Sequence, residues 1–155
     1  MCGIGGYVLP SPSCPEEGML ELLECIRHRG PDGRGEFSED MDDSDFRVGL
    51  GHVRLSIIDI EGGSQPMSDG EKRYTIVFNG EIYNYLDLKD RLELLGHHFS
   101  TESDTEVLLH SYIEWGSKLV ENIKGQFSFV IWDSKSQSMF AARDHFGLKP
   151  LYYIE

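Results

Sequence analysis

The second residue of the chain is a cysteine, and its position suggests a reaction. Aminopeptidases remove an initiating Met1 when the next residue is small, which would leave Cys2 with both a thiol and a free α-amine. An α-amine has a pKa of about 7.7–8.0, so it can accept the proton of its own side chain. Thiolates attack carbonyl carbons, and Cys2 therefore predicts acyl transfer. The glycines at positions 3, 5 and 6 would let the backbone approach a ligand closely, although they also fit a plain turn.

The dipeptide Asn79-Gly80 allows two interpretations. It is typical of a tight hairpin turn. A side-chain amide and a neighbouring backbone N–H can also point at one oxygen atom and form an oxyanion hole, in which the loss of one donor costs about 10²–10³ in rate.

Two charged side chains have the chemistry to bind a free amino acid. Arg54 lies in an apolar segment, and its guanidinium either reaches out to solvent or grips a carboxylate through two hydrogen bonds. Asp104 opens a predicted helix, where a carboxylate either favours the helix dipole or receives a ligand ammonium. Together they can hold the two ends of a zwitterion.

Charge and composition exclude several classes of protein. Lys and Arg number 14 against 27 Asp and Glu, a net charge of −13, so we expect neither nucleic-acid binding nor docking on an anionic membrane. The apolar runs are too short for a membrane span and no signal peptide is recognisable, which predicts a cytoplasmic protein. The three cysteines and six histidines show no metal-ligand spacing, and we expect no metal.

The apolar periodicity predicts elements of both kinds. Helical spacing covers residues 19–26, 88–95 and 107–113, with a short fourth piece at 117–123. The second helix should stop at Gly96, and a capping box at 103–106 should open the third. Strands are expected at 4–9, 74–78, 127–132, 139–142 and 151–154, with two more in 47–58 broken near Gly51. The acidic stretch 36–45 is expected to be an exposed loop. This pattern predicts an α+β fold with antiparallel sheets.

With these residues identified, the chain resembles the class II glutamine amidotransferase domain, most closely the glutaminase half of the glutamine-hydrolysing asparagine synthetases. The matching stretches follow one another along almost the whole chain: MCGIGG (1–6), RHRGPDG (27–33), GHVRLSIID (51–59), QPM (65–67), FNGEIYN (78–84), SDTE (103–106), FSFVIWD (127–133) and ARDHFGLKPLYY (142–153).

The resemblance implies a fold and a site. The fold is that of the N-terminal nucleophile hydrolases, a four-layer αββα sandwich of two antiparallel sheets between helices. Cys2 would attack the side-chain amide of L-glutamine, with Asn79 and the Gly80 N–H holding the oxyanion. Arg54 would bind the glutamine carboxylate, and Asp104, with Glu81 beside it, the ammonium. The segment that follows Arg54 would line the pocket: Leu55, Ser56, Ile57 and Ile58.

The resemblance also implies roles for two further motifs. Arg29 and Asp32 of the RHRGPDG stretch would order the pocket, without an assigned contact. Arg143, Asp144, Gly147 and Lys149 are expected to be structural and to tie a turn near the domain border.

The implied function is hydrolysis of glutamine to glutamate, with the ammonia passed to an ATP-dependent synthetase module that makes asparagine from aspartate. The SGGxDS motif of that module is absent from these residues. We therefore expect 1–155 to be the glutaminase domain alone, without a cofactor, while ATP and Mg²⁺ belong to the missing module. We also expect it to be cut short at a C-terminal sheet edge, which would favour self-association such as a homodimer. Two alternatives are a glutaminase domain serving another acceptor and a non-catalytic glutamine-binding module.

Overall fold

Two antiparallel β-sheets form the middle of the molecule in the computed structural model, which describes residues 1–11, 18–42, 44–55 and 62–154. The first sheet has the order β1-β3-β2, built from β1 (Gly3–Pro10), β2 (Gly33–Asp40) and β3 (Phe46–Arg54). The second has the order β4-β5-β6-β7, built from β4 (Met67–Ser68), β5 (Tyr74–Ile82), β6 (Gly125–Asp133) and β7 (Ser138–Arg143).

Helices cover the outer faces of both sheets. The described residues form α1 (Gly18–Ile26), α2 (Tyr85–Leu94) and α3 (Asp104–Trp115), with 3-10 turns at Arg27–Arg29 and Gly116–Glu121. Successive side chains of a strand point to opposite faces of its sheet, and the buried apolar side chains therefore form three separate clusters. Val53 packs with α1, and Val48 and Leu50 meet Val77 and Trp132 between the sheets. The outer face of the second sheet packs on α2 and α3. The layers are therefore helix, sheet, sheet and helices, which confirms the predicted four-layer sandwich.

The helix boundaries follow from the sequence signals. The second helix ends just before Gly96, as predicted. At the start of α3 the Ser103 hydroxyl accepts a hydrogen bond from the N–H of Thr105 at 3.1 Å. The other half of the predicted capping box is not formed, because the Glu106 carboxylate accepts the N–H groups of Ser100 and Thr101 instead. Glu106 thus ties α3 to the segment that leads into it.

The acidic stretch 36–45 is not a loop throughout, and that prediction was wrong. Residues 36–40 belong to β2, an edge strand that pairs with β3 along its whole length. The strand tolerates the charges because alternate residues face solvent, while Phe37 packs against the core between the sheets. Glu39 also accepts a hydrogen bond from the indole N–H of Trp132 at 2.6 Å.

The predicted break of the 47–58 segment near Gly51 was also wrong. The strand β3 continues through this residue to Arg54. A side chain at position 51 would lie 2.5 Å from Met19 Sδ and 2.8 Å from Leu23 Cδ2, so the glycine is required by the close approach of α1. The continuation of the prediction to residue 58 lies outside the described residues.

The C-terminal strand predicted at 151–154 does not form among the described residues. The apolar residues of this segment are not buried: Tyr152, Tyr153 and Ile154 are almost fully accessible to solvent. The strands predicted at 4–9, 127–132 and 139–142 are confirmed, the last two as a hairpin.

Candidate active site

One pocket, at the end of the two sheets, brings together the side chains that the sequence singled out. It is lined by Cys2, Arg54, Leu55, Asn79, Gly80, Glu81 and Asp104. These residues come from the residue before β1, the end of β3, the middle of β5 and the start of α3. Ser56, Ile57 and Ile58, which were also predicted to line the pocket, lie outside the described residues.

The thiol of Cys2 is held on the backbone of Leu55. The N–H of Leu55 donates to Cys2 Sγ at 3.3 Å, and Sγ lies 3.6 Å from the carbonyl oxygen of the same residue. Arg29 Nε donates to the carbonyl oxygen of Cys2 at 3.1 Å, the contact that the sequence could not assign to this arginine. Because the pairing of Gly3 with Val53 brings the end of β3 beside the N-terminus, the nucleophile has a defined position.

Beyond its short pairing with β4, one edge of β5 carries no other strand among the described residues, and this free edge presents backbone donors to the pocket. Phe78 N–H donates to Gln65 Oε1 at 2.6 Å, and Ile82 N–H donates to Asp104 Oδ2 at 3.1 Å. On the neighbouring strand β6, the N–H of Phe127 donates to Asp144 Oδ2 at 3.3 Å, and the carbonyl oxygen of Phe127 accepts the N–H of Asp144 at 2.8 Å. Both backbone groups of Phe127 therefore point away from β5. The pair that Gly80 makes with Phe127 is therefore a non-hydrogen-bonded one, and the Gly80 N–H points to the free edge.

Asn79 and Gly80 are not in a turn, so the hairpin interpretation of this dipeptide was wrong. Both lie inside β5, and the glycine is needed for a different reason. A Cβ at position 80 would overlap the carbonyl oxygen of Gln126 and lie 2.7 Å from Phe127 Cα. The buried Asn79 side chain lines the same pocket, as the oxyanion-hole interpretation requires.

Asp104 is a buried carboxylate facing the pocket, with 4% of the residue exposed. Burial, helped by the nearby charge of Glu81, raises its pKa to about 6, while the N–H of Ile82 opposes the shift. Among the described residues no cation forms an ion pair with it. A ligand ammonium would supply the missing positive charge.

Gln65 is a site residue that sequence reasoning missed. Its Oε1 accepts the Phe78 N–H, and its Nε2 donates to Thr105 Oγ1 at 3.2 Å. The amide thus joins the free edge of β5 to the first turn of α3. The QPM stretch was part of the resemblance, but this contact depends on the path of the chain before β4, which no local pattern reveals.

The turn near the C-terminus contains a second surprise. Asp144 accepts the N–H groups of Phe146, Leu148 and Lys149 as well as that of Phe127, so it ties the turn as expected. Lys149 does more than shape this turn, since its ammonium enters the pocket and lies 3.1 Å from Met1 Sδ.

No group of three or more His, Cys, Asp or Glu side chains in the described residues is arranged to hold a metal. None of the helices that these residues form is long and apolar enough to cross a bilayer.

Comparison with known proteins gives the chain a family. A family model described as a glutamine amidotransferase domain matches residues 1–155. Among curated proteins, the chain is 43% identical over 157 residues to glutamine-hydrolysing asparagine synthetase 1 of Bacillus subtilis (strain 168), covering 99% of this chain and 24% of that protein. It is 45% identical over 159 residues to asparagine synthetase 3 of the same organism, covering 100% of this chain and 25% of the relative. The chain thus spans about a quarter of these relatives.

Solved structures show the same fold. The allosteric regulatory enzyme of purine biosynthesis superposes with a TM-score of 0.75 at 24% identity, over 95% of this chain and 38% of the other. The glutamine phosphoribosylpyrophosphate amidotransferase of B. subtilis gives a TM-score of 0.62 at 24% identity, over 79% of this chain and 33% of the other. The chain is a member of the glutamine amidotransferase domain family, as the resemblance implied.

Proposed function

We propose that this chain is a glutaminase domain, in which Cys2, freed by removal of Met1, hydrolyses L-glutamine to glutamate and ammonia. The observation that carries the proposal is the meeting of the Cys2 thiol, the outward N–H of Gly80 and the uncompensated carboxylate of Asp104 in one pocket. While Met1 is attached, Cys2 carries a peptide nitrogen and has no amine to act as base.

Glutamine binding uses the two ends of the amino acid. Asp104 receives the α-ammonium, and Glu81 adds negative charge beside it. Arg54 binds the α-carboxylate from the end of β3 through its two-pronged guanidinium. This directs the side-chain amide toward Cys2 and the edge of β5.

The chemistry follows from what lies around the amide. The α-amine of Cys2 accepts the thiol proton, and the thiolate adds to the amide carbon. The oxyanion that forms is held by the Asn79 amide and the Gly80 N–H. The α-ammonium then returns the proton to the departing nitrogen, ammonia leaves, and water hydrolyses the thioester to glutamate.

The destination of the ammonia is proposed from the relatives. The two B. subtilis asparagine synthetases compared above are about four times longer than this chain. We infer that a synthetase module, using ATP and Mg²⁺, takes the ammonia to make asparagine from aspartate, and that 1–155 itself needs no cofactor. The same proposal assigns the protein to the cytoplasm, where glutamine and ATP are available. The homodimer stays a prediction.

The test is glutamate release by the wild-type protein and by a pair of cysteine variants, with mass spectrometry of the N-terminus. We expect the active protein to begin at Cys2 and the Cys2→Ala variant to lose glutamate release while still binding glutamine. Cys25→Ala is the matched control, because Cys25 is a free, exposed cysteine outside the pocket, and it should keep full activity. Equal glutamate release by Cys2→Ala and the wild type would disprove the proposal.

A further inference from the structure

Lys149 brings a buried ammonium into the active-site pocket. Only 6% of the residue is exposed, and its Nζ donates to the thioether of Met1 at 3.1 Å. A thioether is a weak acceptor, and a charge buried without a good partner is costly. In the described parts of the chain no carboxylate forms an ion pair with this lysine.

Hydrogen bonds to Asp144 fix the backbone around Lys149. Its own N–H donates to Asp144 Oδ2 at 2.9 Å, and that of Leu148 donates to Oδ1 at 2.9 Å. Asp144 is in turn anchored on β6 through Phe127. The fold therefore holds a cation against the residue that precedes the nucleophile, an arrangement that burial alone would oppose.

We propose that the Lys149 ammonium disfavours a second positive charge at the N-terminus, so that after Met1 is removed the α-amine of Cys2 is neutral and can accept the thiol proton. This inference rests on the proposed glutaminase function. It makes Lys149 an electrostatic partner of the base, because Nζ contacts the side chain of Met1, the residue bonded to the Cys2 nitrogen.

Other charges act on the same amine from neighbouring elements. Arg29, on the Cys2 carbonyl, and Arg54, at the end of β3, add to the effect of Lys149. Glu81 on β5 and Asp104 on α3 oppose it, although a bound glutamine ammonium would cover Asp104. Lys149 can be changed without removing any of the groups assigned to the substrate.

The first experiment measures the α-amine directly and needs no activity. In the full-length protein carrying Cys2→Ala, which also permits removal of Met1, the pH dependence of N-terminal acylation by an amine reagent gives the amine pKa. We expect Lys149→Met to raise this pKa by about one unit, the size expected for the loss of one nearby positive charge. Lys149→Arg, which keeps the charge, should match the parent. An unchanged amine in Lys149→Met would overturn the inference.

The second experiment follows catalysis in the Cys2 protein. The acid limb of kcat/KM for glutamine hydrolysis should move to higher pH by about one unit in Lys149→Met, with the rate recovering at alkaline pH, and Lys149→Arg should behave like wild type. A loss of rate that is equal at every pH would mean a structural role only and would contradict the inference. If Lys149→Met does not fold, Lys149→Gln replaces it. A wild-type protein without glutaminase activity would refute the proposed function, and the labelling experiment would still decide the role of Lys149.

Discussion

Two buried aspartates lie at opposite ends of the second sheet, and their surroundings differ sharply. Asp133, at the end of β6, accepts two hydrogen bonds of 2.9 Å from the guanidinium of Arg73 and further ones from the N–H groups of Lys135 and Ser136. These contacts hold its pKa well below the usual range. Asp104 is equally buried, but its side chain accepts the N–H of Ile82 and forms no ion pair with the described residues, and burial raises its pKa to about 6.

The difference separates a carboxylate that holds the fold together from one that is available to a ligand. A buried carboxylate with a guanidinium and several N–H donors is electrostatically complete. A buried carboxylate that lacks a cation is poorly stabilised until one arrives. The pocket end of the sheet therefore gives up local stability to bind a charged substrate.

The largest effect is expected at the pocket end. Asp104→Asn removes the charge that binds the glutamine ammonium, and since a buried charge-assisted hydrogen bond contributes about 1.5–3 kcal/mol, KM should rise about 10- to 100-fold. Stability should hardly change, because an uncompensated buried charge is lost. Steady-state glutaminase kinetics and thermal unfolding measure both. An unchanged KM would remove Asp104 from the binding site.

The matched substitution of Asp133, at the end of the second sheet away from the pocket, should reduce stability and leave glutamine binding unchanged. Asp133→Asn leaves Arg73 without its carboxylate, and we expect the free energy of unfolding to fall by about 2 kcal/mol. Glutamine KM should stay close to that of the wild type. Chemical denaturation with the same kinetic assay checks this. A larger change in KM for Asp133→Asn than for Asp104→Asn would break the comparison.

A smaller effect is expected from pH. Protonation of Asp104 removes the charge that attracts the ammonium, so the glutamine Kd should be flat above about pH 7 and should rise as the pH falls through 6, approaching about tenfold per unit. The measurement is calorimetric binding to the Cys2→Ala variant, in which the thiol chemistry is absent. Adding Asp104→Asn to that variant should make the weak affinity independent of pH over this range. A pH dependence that persists there would assign the titration to another group.

Much of the fold was predictable because its signals are local. The apolar spacing of α2, the Ser103 cap and the strands at 127–132 and 139–142 each need only neighbouring residues. The failures are tertiary in origin. A strand through Gly51 and an Asn79-Gly80 dipeptide without a turn both depend on close packing by another element, which overrides the local preference.

The site shows the same division. Cys2, Arg54 and Asp104 stand out by residue type and position. Gln65 and Lys149 do not, because each acts through a contact with a residue distant in sequence. Long-range contacts of this kind are visible only once the chain is folded.

The most direct test of the account is to label the protein with a glutamine analogue that carries a chloroketone in place of the amide, and to locate the adduct by mass spectrometry. The account predicts one adduct per chain, on a Cys2 that is the first residue, with excess glutamine protecting against labelling. An adduct on Cys25 instead, or labelling of Cys2 that glutamine does not prevent, would contradict it.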